Sequence, residues 1–281
     1  MYTRNCEIKQ GVDFPEGMHR YALGVEYQGA SFNGFQRQAS SAANTVQAHL
    51  ERAISKIAAE PITLVCSGRT DAGVHACEQV IHFDTLAERP EKAWVQGVNT
   101  QLPEEIRVHW GREVPKGFHA RFSALARIYR YVILSTKVCP AHLAKNITST
   151  HYTLDLDAMQ AAASLLEGEH DFSSFRSSRC QANTPTRRLE YLRFSSRGPL
   201  IVLEVKGNAF LHHMVRNLVG TLIDIGRGAK PVEWASELLE LRDRTKASPT
   251  ASPEGLYFTK AVYSEEFVLP ERPLGPLFLQ S

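Results

Sequence analysis

The chain has 281 residues, enough for one large domain or two of about 140, and its 43% apolar content gives it the means to bury a core. Lys plus Arg number 32 against 30 Asp plus Glu, and a net charge of +2 by itself points to neither nucleic acid nor membrane, so either partner has to be read from how the charge is distributed. Five cysteines without a C-x-x-C pair (Cys6, Cys66, Cys77, Cys139 and Cys180) argue against a disulfide framework and a structural zinc site, while a polar N-terminus and the absence of a long apolar run predict a cytoplasmic protein, neither exported nor membrane-spanning.

In chain order, residues 1–19 form an arm without periodicity, and regular structure is expected from Arg20. Tyr21 to Tyr27 reads as a strand running into the loop QGASFNGFQRQ, which holds two glycines and two aromatics. Asn44 can cap a helix whose Val46, Leu50, Ala53, Ile54 and Ile57 share one face. Strands are expected at 62–66 and 78–84, a helix from Pro90 with Trp94, Val98 and Leu102 on one side, and a strand through Ile106, Val108 and Trp110. That order is β-α-β-β-α-β, the ferredoxin-like arrangement. The second half repeats it, with a strand at Ile128 to Leu134, an Ala-rich helix at Leu156 to Leu166, strands at 187–195 and 200–206, a helix over Leu211 to Ile223, an inserted helix at 232–242 and a last strand at Leu256 to Tyr263. The reading is an α+β chain of two such domains in tandem, 1–115 and 116–281, with a cleft where they meet and a proline-bearing tail wrapping the surface.

The stretch CSGRTDAGVHA, Cys66 to Ala76, lies between two predicted strands and carries one arginine and one carboxylate, Arg69 and Asp71, flanked by Gly68 and Gly73. Glycine permits positive φ and close backbone approach, so the loop can present its charged pair to a ligand; the same letters would also close an ordinary turn. The segment GFHARFSALARIYRYVI places Arg121, Arg127 and Arg130 among Phe118, Phe122, Tyr129 and Tyr131, a basic and aromatic mixture suited to RNA phosphates and bases, or to an edge strand with one charged face. Tyr129 and Tyr131 fall on one face of that strand, opposite Arg130. Arg176, Arg179, Arg187 and Arg188 lie in a Ser-rich span that reads as a solvated loop or a clamp on an RNA backbone. Arg216 borders the apolar stripe of its helix. His212-His213, His75 and His170 have neither H-x-x-x-H spacing nor a cysteine partner, so no metal is expected, and no G-x-x-x-x-G-K or G-x-G-x-x-G loop suggests a nucleotide cofactor.

Residue for residue, Gly68 to His75 (GRTDAGVH) resembles the catalytic loop of the TruA family of tRNA pseudouridine synthases. The resemblance runs from about Arg20 to Val262, through GVNTQLPEEI, FHARFSA, the Tyr129 strand, HDFSSFR, KGNAFLHHMVRNLVG and SPEGLYF in order; at Arg127-Ile128 the family more often shows Lys-Thr. It implies an RNA-binding central cleft and a cofactor-free, metal-free homodimer that converts uridines 38 to 40 of the tRNA anticodon stem-loop to pseudouridine. By the same resemblance Asp71 is the nucleophile on C1′ or C6, or a base at C2′; Arg69 fills the space left by the flipped nucleotide; Tyr129 stacks on the uracil and takes the C5 proton; and Arg216 pairs with Asp71. A carboxyl buried alone takes up a proton, so a reacting carboxylate needs such a cation. The basic pattern itself adds Arg121, Arg127, Arg176 and Arg179 as substrate-binding residues. Two other classes fit the residues: an RNA-binding module without catalysis, and a hydrolase using Asp71 with His75.

Overall fold

The computed structural model describes residues 14–37 and 44–280; the arm through Asp13, with Cys6, the stretch 38–43 and Ser281 lie outside the described residues. In chain order the structure runs β1 (His19–Tyr27), α1 (Val46–Ala58), β2 (Val65–Cys66), β3 (His75–Thr85), a helical stretch around the π-turn Ala93–Gly97, β4 (Ile106–Glu113), β5 (Ala126–Ser135), β6 (Thr148–Thr150), α2 (Leu156–Ser164), β7 (Gly168–Asp171), β8 (Thr186–Arg197), β9 (Leu200–Gly207), α3 (Met214–Gly226), α4 (Trp234–Leu241) and β10 (Leu256–Val262). Among the described residues no helix is long and apolar enough to cross a membrane.

All ten strands of the described residues join one sheet ordered β4-β1-β3-β10-β5-β9-β8-β7, with β2 on β3 and β6 on β5. Within it the first half follows β4-β1-β3-β2 and the second β10-β5-β9-β8, which in each is the fourth, first, third and second strand of a β-α-β-β-α-β unit. The halves meet where β10 pairs parallel with the start of β3, Tyr257 opposite His75 and Phe258 opposite Ala76. Further along the same strand β2 pairs antiparallel, Val65 opposite His82 and Cys66 opposite Ile81. Because β1 occupies the other edge of β3, β2 and β10 share one edge at different heights. The loop that joins β2 to β3, Ser67 to Val74, therefore leaves the sheet at a fork between β2 and β10.

Strand alternation sorts side chains into two layers. Leu23, Val25, Ile81, Phe83, Tyr129, Tyr131, Ile133, Leu256 and Phe258 face the helices and form one continuous core with Leu50 and Ile54 of α1, Met159 of α2 and Leu218 and Leu222 of α3. On the opposite face Cys77, Val132, Tyr257 and Val202 pack with Leu279 of the C-terminal tail. Arg130 points there, as the alternation requires, pairing with Glu204 at 2.7 Å and donating to Leu274 O at 3.0 Å.

Three local expectations change. Thr45, not Asn44, caps α1, its Oγ1 accepting from Ala48 N at 3.4 Å, because the Asn44 amide turns back to Ser31 O. The strand expected at 62–66 narrows to Val65–Cys66: Ile62 and Leu64 are buried by alternation, but their N–H groups go to Ser55 Oγ (2.9 Å) and Glu51 Oε1 (3.3 Å) of α1 rather than to a neighbouring strand. The helix expected from Leu211 starts at Met214, with Leu211 buried in the turn before it.

Two buried imidazoles brace these layers. His75 Nδ1 accepts from Gly29 N at 3.0 Å, so Nε2 carries the proton toward Glu254 O at 3.2 Å, and the ring stacks on Tyr257. His82 Nδ1 accepts from Ala120 N at 3.1 Å. Burial lowers both from the ordinary 6.5, His75 to about 4 and His82 to about 3. Each is neutral in the fold but takes a proton below about pH 6.5 once unfolded, so the stability present above that pH declines as the pH falls toward those values. Urea unfolding should lose roughly 2–3 kcal/mol more between pH 7 and 4.5 in the wild type than in His82→Gln, whose amide can still accept from Ala120; equal losses would contradict this.

Candidate active site

The fork in the sheet places the Ser67–Val74 loop at the mouth of a cleft of about 1160 Å³, whose other walls are the 33–36 loop, the Arg121–Tyr129 segment, the 177–182 loop and the turn into α3. The loop is fixed from beneath by Gln79, a fully buried side chain of β3. Its Oε1 accepts from Ser67 N (3.1 Å), Ser67 Oγ (2.5 Å) and Gly68 N (3.2 Å), and its Nε2 donates to Gly68 O (2.5 Å). From the side, Thr70 Oγ1 meets the Tyr27 hydroxyl at 2.8 Å and Thr70 O accepts from Phe35 N at 3.0 Å. Gly73, at φ 81°, turns the chain back into β3.

Held this way, Asp71 extends into the cleft with its side chain one-quarter exposed. Arg216 Nη1, from the first turn of α3, lies 3.4 Å from its Oδ2, so the two halves of the chain meet at this carboxylate. Arg216 is itself held: its Nε donates to Ala251 O at 2.8 Å while its own carbonyl accepts from Ala251 N at 3.1 Å. The 245–255 loop that provides Ala251 lies directly on α3, where a Cβ on Gly220 would stand 2.1 Å from Pro249 O. Arg244 orders the loop from within, donating to Ser248 O and Thr250 Oγ1, both at 3.0 Å.

Tyr129 sits beneath the same cleft, 8% exposed, with Phe258 and Phe210 edge-on to its ring at 5.1 and 5.0 Å. Burial, only partly offset by Arg127 and reinforced by the Asp71 charge, pushes its phenol well above the ordinary value. The phenol is therefore protonated at neutral pH, apt for stacking and hydrogen bonding, and it cannot accept a proton until it has given up its own.

The arginines divide into two groups. Arg69, Arg121 and Arg179 are exposed on the cleft walls, and among the described residues Arg69 has no hydrogen-bond or ion-pair partner. Arg127 also lines the cleft, but its guanidinium is taken up by four carbonyls: Ala124 O (3.2 Å), Asn208 O (2.8 Å), Ser67 O (3.2 Å) and Arg121 O (2.6 Å). Arg176 likewise donates to Cys180 O (2.9 Å) and Ala182 O (2.7 Å), shaping the loop that carries Arg179.

Sequence reasoning missed two contacts. His212 Nε2 is 3.2 Å from Asp71 Oδ1 and His213 Nε2 is 3.4 Å from Oδ2. Both precede α3, and His213 has left-handed backbone, so no helical or strand period in the sequence signals the contact. Their nitrogens and the carboxylate lie within 4.8 Å of one another, a donor set that a divalent ion could use. A guanidinium 3.4 Å from the same oxygen works against such an ion. His75, by contrast, is turned away into its bonds with Gly29 and Glu254, so it cannot act with Asp71 as a hydrolytic pair.

This arrangement offers a carboxylate oxygen, an aromatic ring and exposed cations lining one groove, which suits a reaction on a stacked heterocycle carried by a polyanion. The comparisons agree. A family model described as tRNA pseudouridine synthase matches residues 24–123 and 162–264. The chain is similar to tRNA pseudouridine synthase A of Pseudomonas aeruginosa, 54% identical over 94% of this chain and 92% of that one. It is equally similar to its namesakes in Pseudoalteromonas atlantica and Hydrogenovibrio crunogenus, each 54% identical over 92% of this chain and 98% of theirs.

Gln79→Leu keeps the volume of that side chain but leaves the Gly68 N–H and the Ser67 hydroxyl without their acceptor and Gly68 O without its donor. It should cost about 3 kcal/mol in urea unfolding, whereas Gln79→Glu at pH 4–5, where a carboxyl buried there is protonated and can both accept from Gly68 N and donate to Gly68 O, should cost less than half of that. Indistinguishable variants would mean that the loop is held by other contacts.

Proposed function

The chain belongs to the tRNA pseudouridine synthase family, and we propose that it isomerises uridine to pseudouridine at positions 38 to 40 of the tRNA anticodon stem-loop, in the cytoplasm, as a homodimer and without cofactor or metal. The observation that carries this reading is the Asp71 carboxylate, met 3.4 Å away by Arg216 from the opposite half of the chain and sharing its cleft with the buried Tyr129 ring.

The reaction breaks C1′–N1, turns the uracil over and forms C1′–C5; nothing is oxidised or hydrolysed. A paired base offers none of these atoms, so the nucleotide must leave its stem, at a cost of a few kcal/mol. In this reading Arg69, exposed two residues before Asp71, enters the vacated space and holds the nucleotide outside. The uracil settles on Tyr129, and the confined cleft keeps the detached base from diffusing away during the turn. Asp71 reacts as an ionised carboxylate whether at C1′, at C6 or as the base at C2′, and the Arg216 guanidinium stabilises that charge. Tyr129, a protonated phenol in the free protein, serves first as the stacking surface. Arg121 and Arg179 contact backbone phosphates, while Arg127 and Arg176 hold the walls that present them. The units 1–115 and 116–281 are the two jaws, and the carboxylate and its cation come from opposite ones. The rival reading as a pure binding module gives no role to a carboxylate in a groove meant for phosphates, where its charge would only repel.

Asp71→Asn should abolish tritium release from C5-labelled uridine in tRNA while leaving tRNA binding within about twofold of the wild type, and no free uracil should accumulate with either protein. Arg216→Gln should lower kcat by roughly 10²–10³-fold, as expected when one fixed donor to a reacting charge is removed. Release persisting in Asp71→Asn, or free uracil from the wild type, would overturn the assignment. Arg121→Ala and Arg179→Ala should each weaken tRNA binding and reduce the salt dependence of log K by about one counterion, whereas an unchanged slope would remove that arginine from the phosphate contacts.

A further inference from the structure

The turn that opens α3 adopts a backbone that its sequence does not favour. Met214 N donates to Leu211 O at 3.0 Å, closing a turn in which His213 stands third, at φ 62° and ψ 5°. Glycine or asparagine normally occupies that place, because a side chain on left-handed backbone crowds the following carbonyl. Among the described residues three other non-glycines have positive φ: Ala59, Arg242 and Val268. Ala59 and Arg242 end α1 and α4, where a left-handed residue lets the last carbonyls find donors, and Val268 ends a short 3-10 turn. His213 instead begins a helix, and its side chain caps nothing in that helix.

What the conformation provides is placement. The His213 imidazole reaches Asp71 Oδ2 at 3.4 Å, while His212, its ring 4.0 Å from that of His213, reaches Oδ1 at 3.2 Å. His212 is anchored on its far side, its N–H on Cys180 Sγ at 3.4 Å and its carbonyl accepting from Ser177 N at 3.1 Å. Arg216 touches only Oδ2, and through one nitrogen, which leaves the carboxylate free to turn about its Cβ–Cγ bond. An imidazole against each oxygen closes that freedom.

Resting on the reading of Asp71 as the reacting carboxylate, we propose that His213, with His212, is a positioning residue that fixes the orientation of Asp71, and that the left-handed backbone at 213 is maintained for that contact. His213→Gly removes the backbone crowding and the imidazole together. Its Tm should therefore equal or exceed that of the wild type, while kcat for tritium release from tRNA falls at least tenfold and KM stays within twofold. His213→Asn, at ease in the same conformation and carrying an amide donor, should recover part of the lost kcat. The proposal is overturned if His213→Gly keeps kcat within twofold of the wild type, or if both variants lose kcat in step with a Tm lowered by several degrees, the mark of a purely structural role. A wild type as inert on tRNA as Asp71→Asn would overturn the functional reading itself, and the proposal with it, and is recognisable because it precedes any comparison of variants.

Discussion

Asp71 and Arg216 are 145 residues apart in the chain and 3.4 Å apart in the fold, and the rest of the structure can be understood as what that approach requires. A carboxylate drawn out of bulk water needs a fixed cation, and the cation has to be held as firmly as the anion. The sheet provides the frame. β10 closes the second unit and pairs with the first strand residues after the Asp71 loop, so the loop and the α3 turn are referred to one rigid surface. Gln79 fixes the loop from below, and Ala251 fixes Arg216 from behind. Neither charge is left to find the other by side-chain motion.

The same frame explains the division among the basic residues. With a net charge of only +2, the protein cannot attract a polyanion by bulk charge, and it concentrates exposed guanidinium groups on the cleft walls. Arginines whose guanidinium groups are already engaged by carbonyls, Arg127 above all with four, tie the 121–127 segment to Ser67 and Asn208 and so give those walls their shape. Arginine suits both tasks because its planar fork can bridge several carbonyls at once or meet a phosphate.

Much of this was legible in the letters. Periodicity located both β-α-β-β-α-β units, because strands packed on one face by helices must alternate and helices covering a sheet must repeat at 3.6 residues. The GRTDAGVH string located the carboxylate, and alternation put Tyr129 and Tyr131 on one face opposite Arg130, a face the structure shows to be the helix-covered one. The misses have physical causes. Ile62 and Leu64 alternate like a strand but find their hydrogen-bond partners on a helix, which no local pattern reports. The start of α3 was misplaced because Leu211 continues the apolar period through a turn that His213 breaks by its backbone. The two histidines reach Asp71 through a turn with left-handed backbone at His213, which no periodic pattern reports.

The most direct test of the central claim is a crystal structure of the protein bound to tRNA carrying 5-fluorouridine at a target position, where fluorine replaces the C5 hydrogen whose loss completes the isomerisation. The account predicts the modified nucleotide outside its stem, its base against the Tyr129 ring, an Asp71 oxygen bonded to or within about 3.5 Å of the ribose or the uracil ring, and Arg216 still paired with that carboxylate. A nucleotide still stacked in its stem, or one seated away from Asp71, would contradict it.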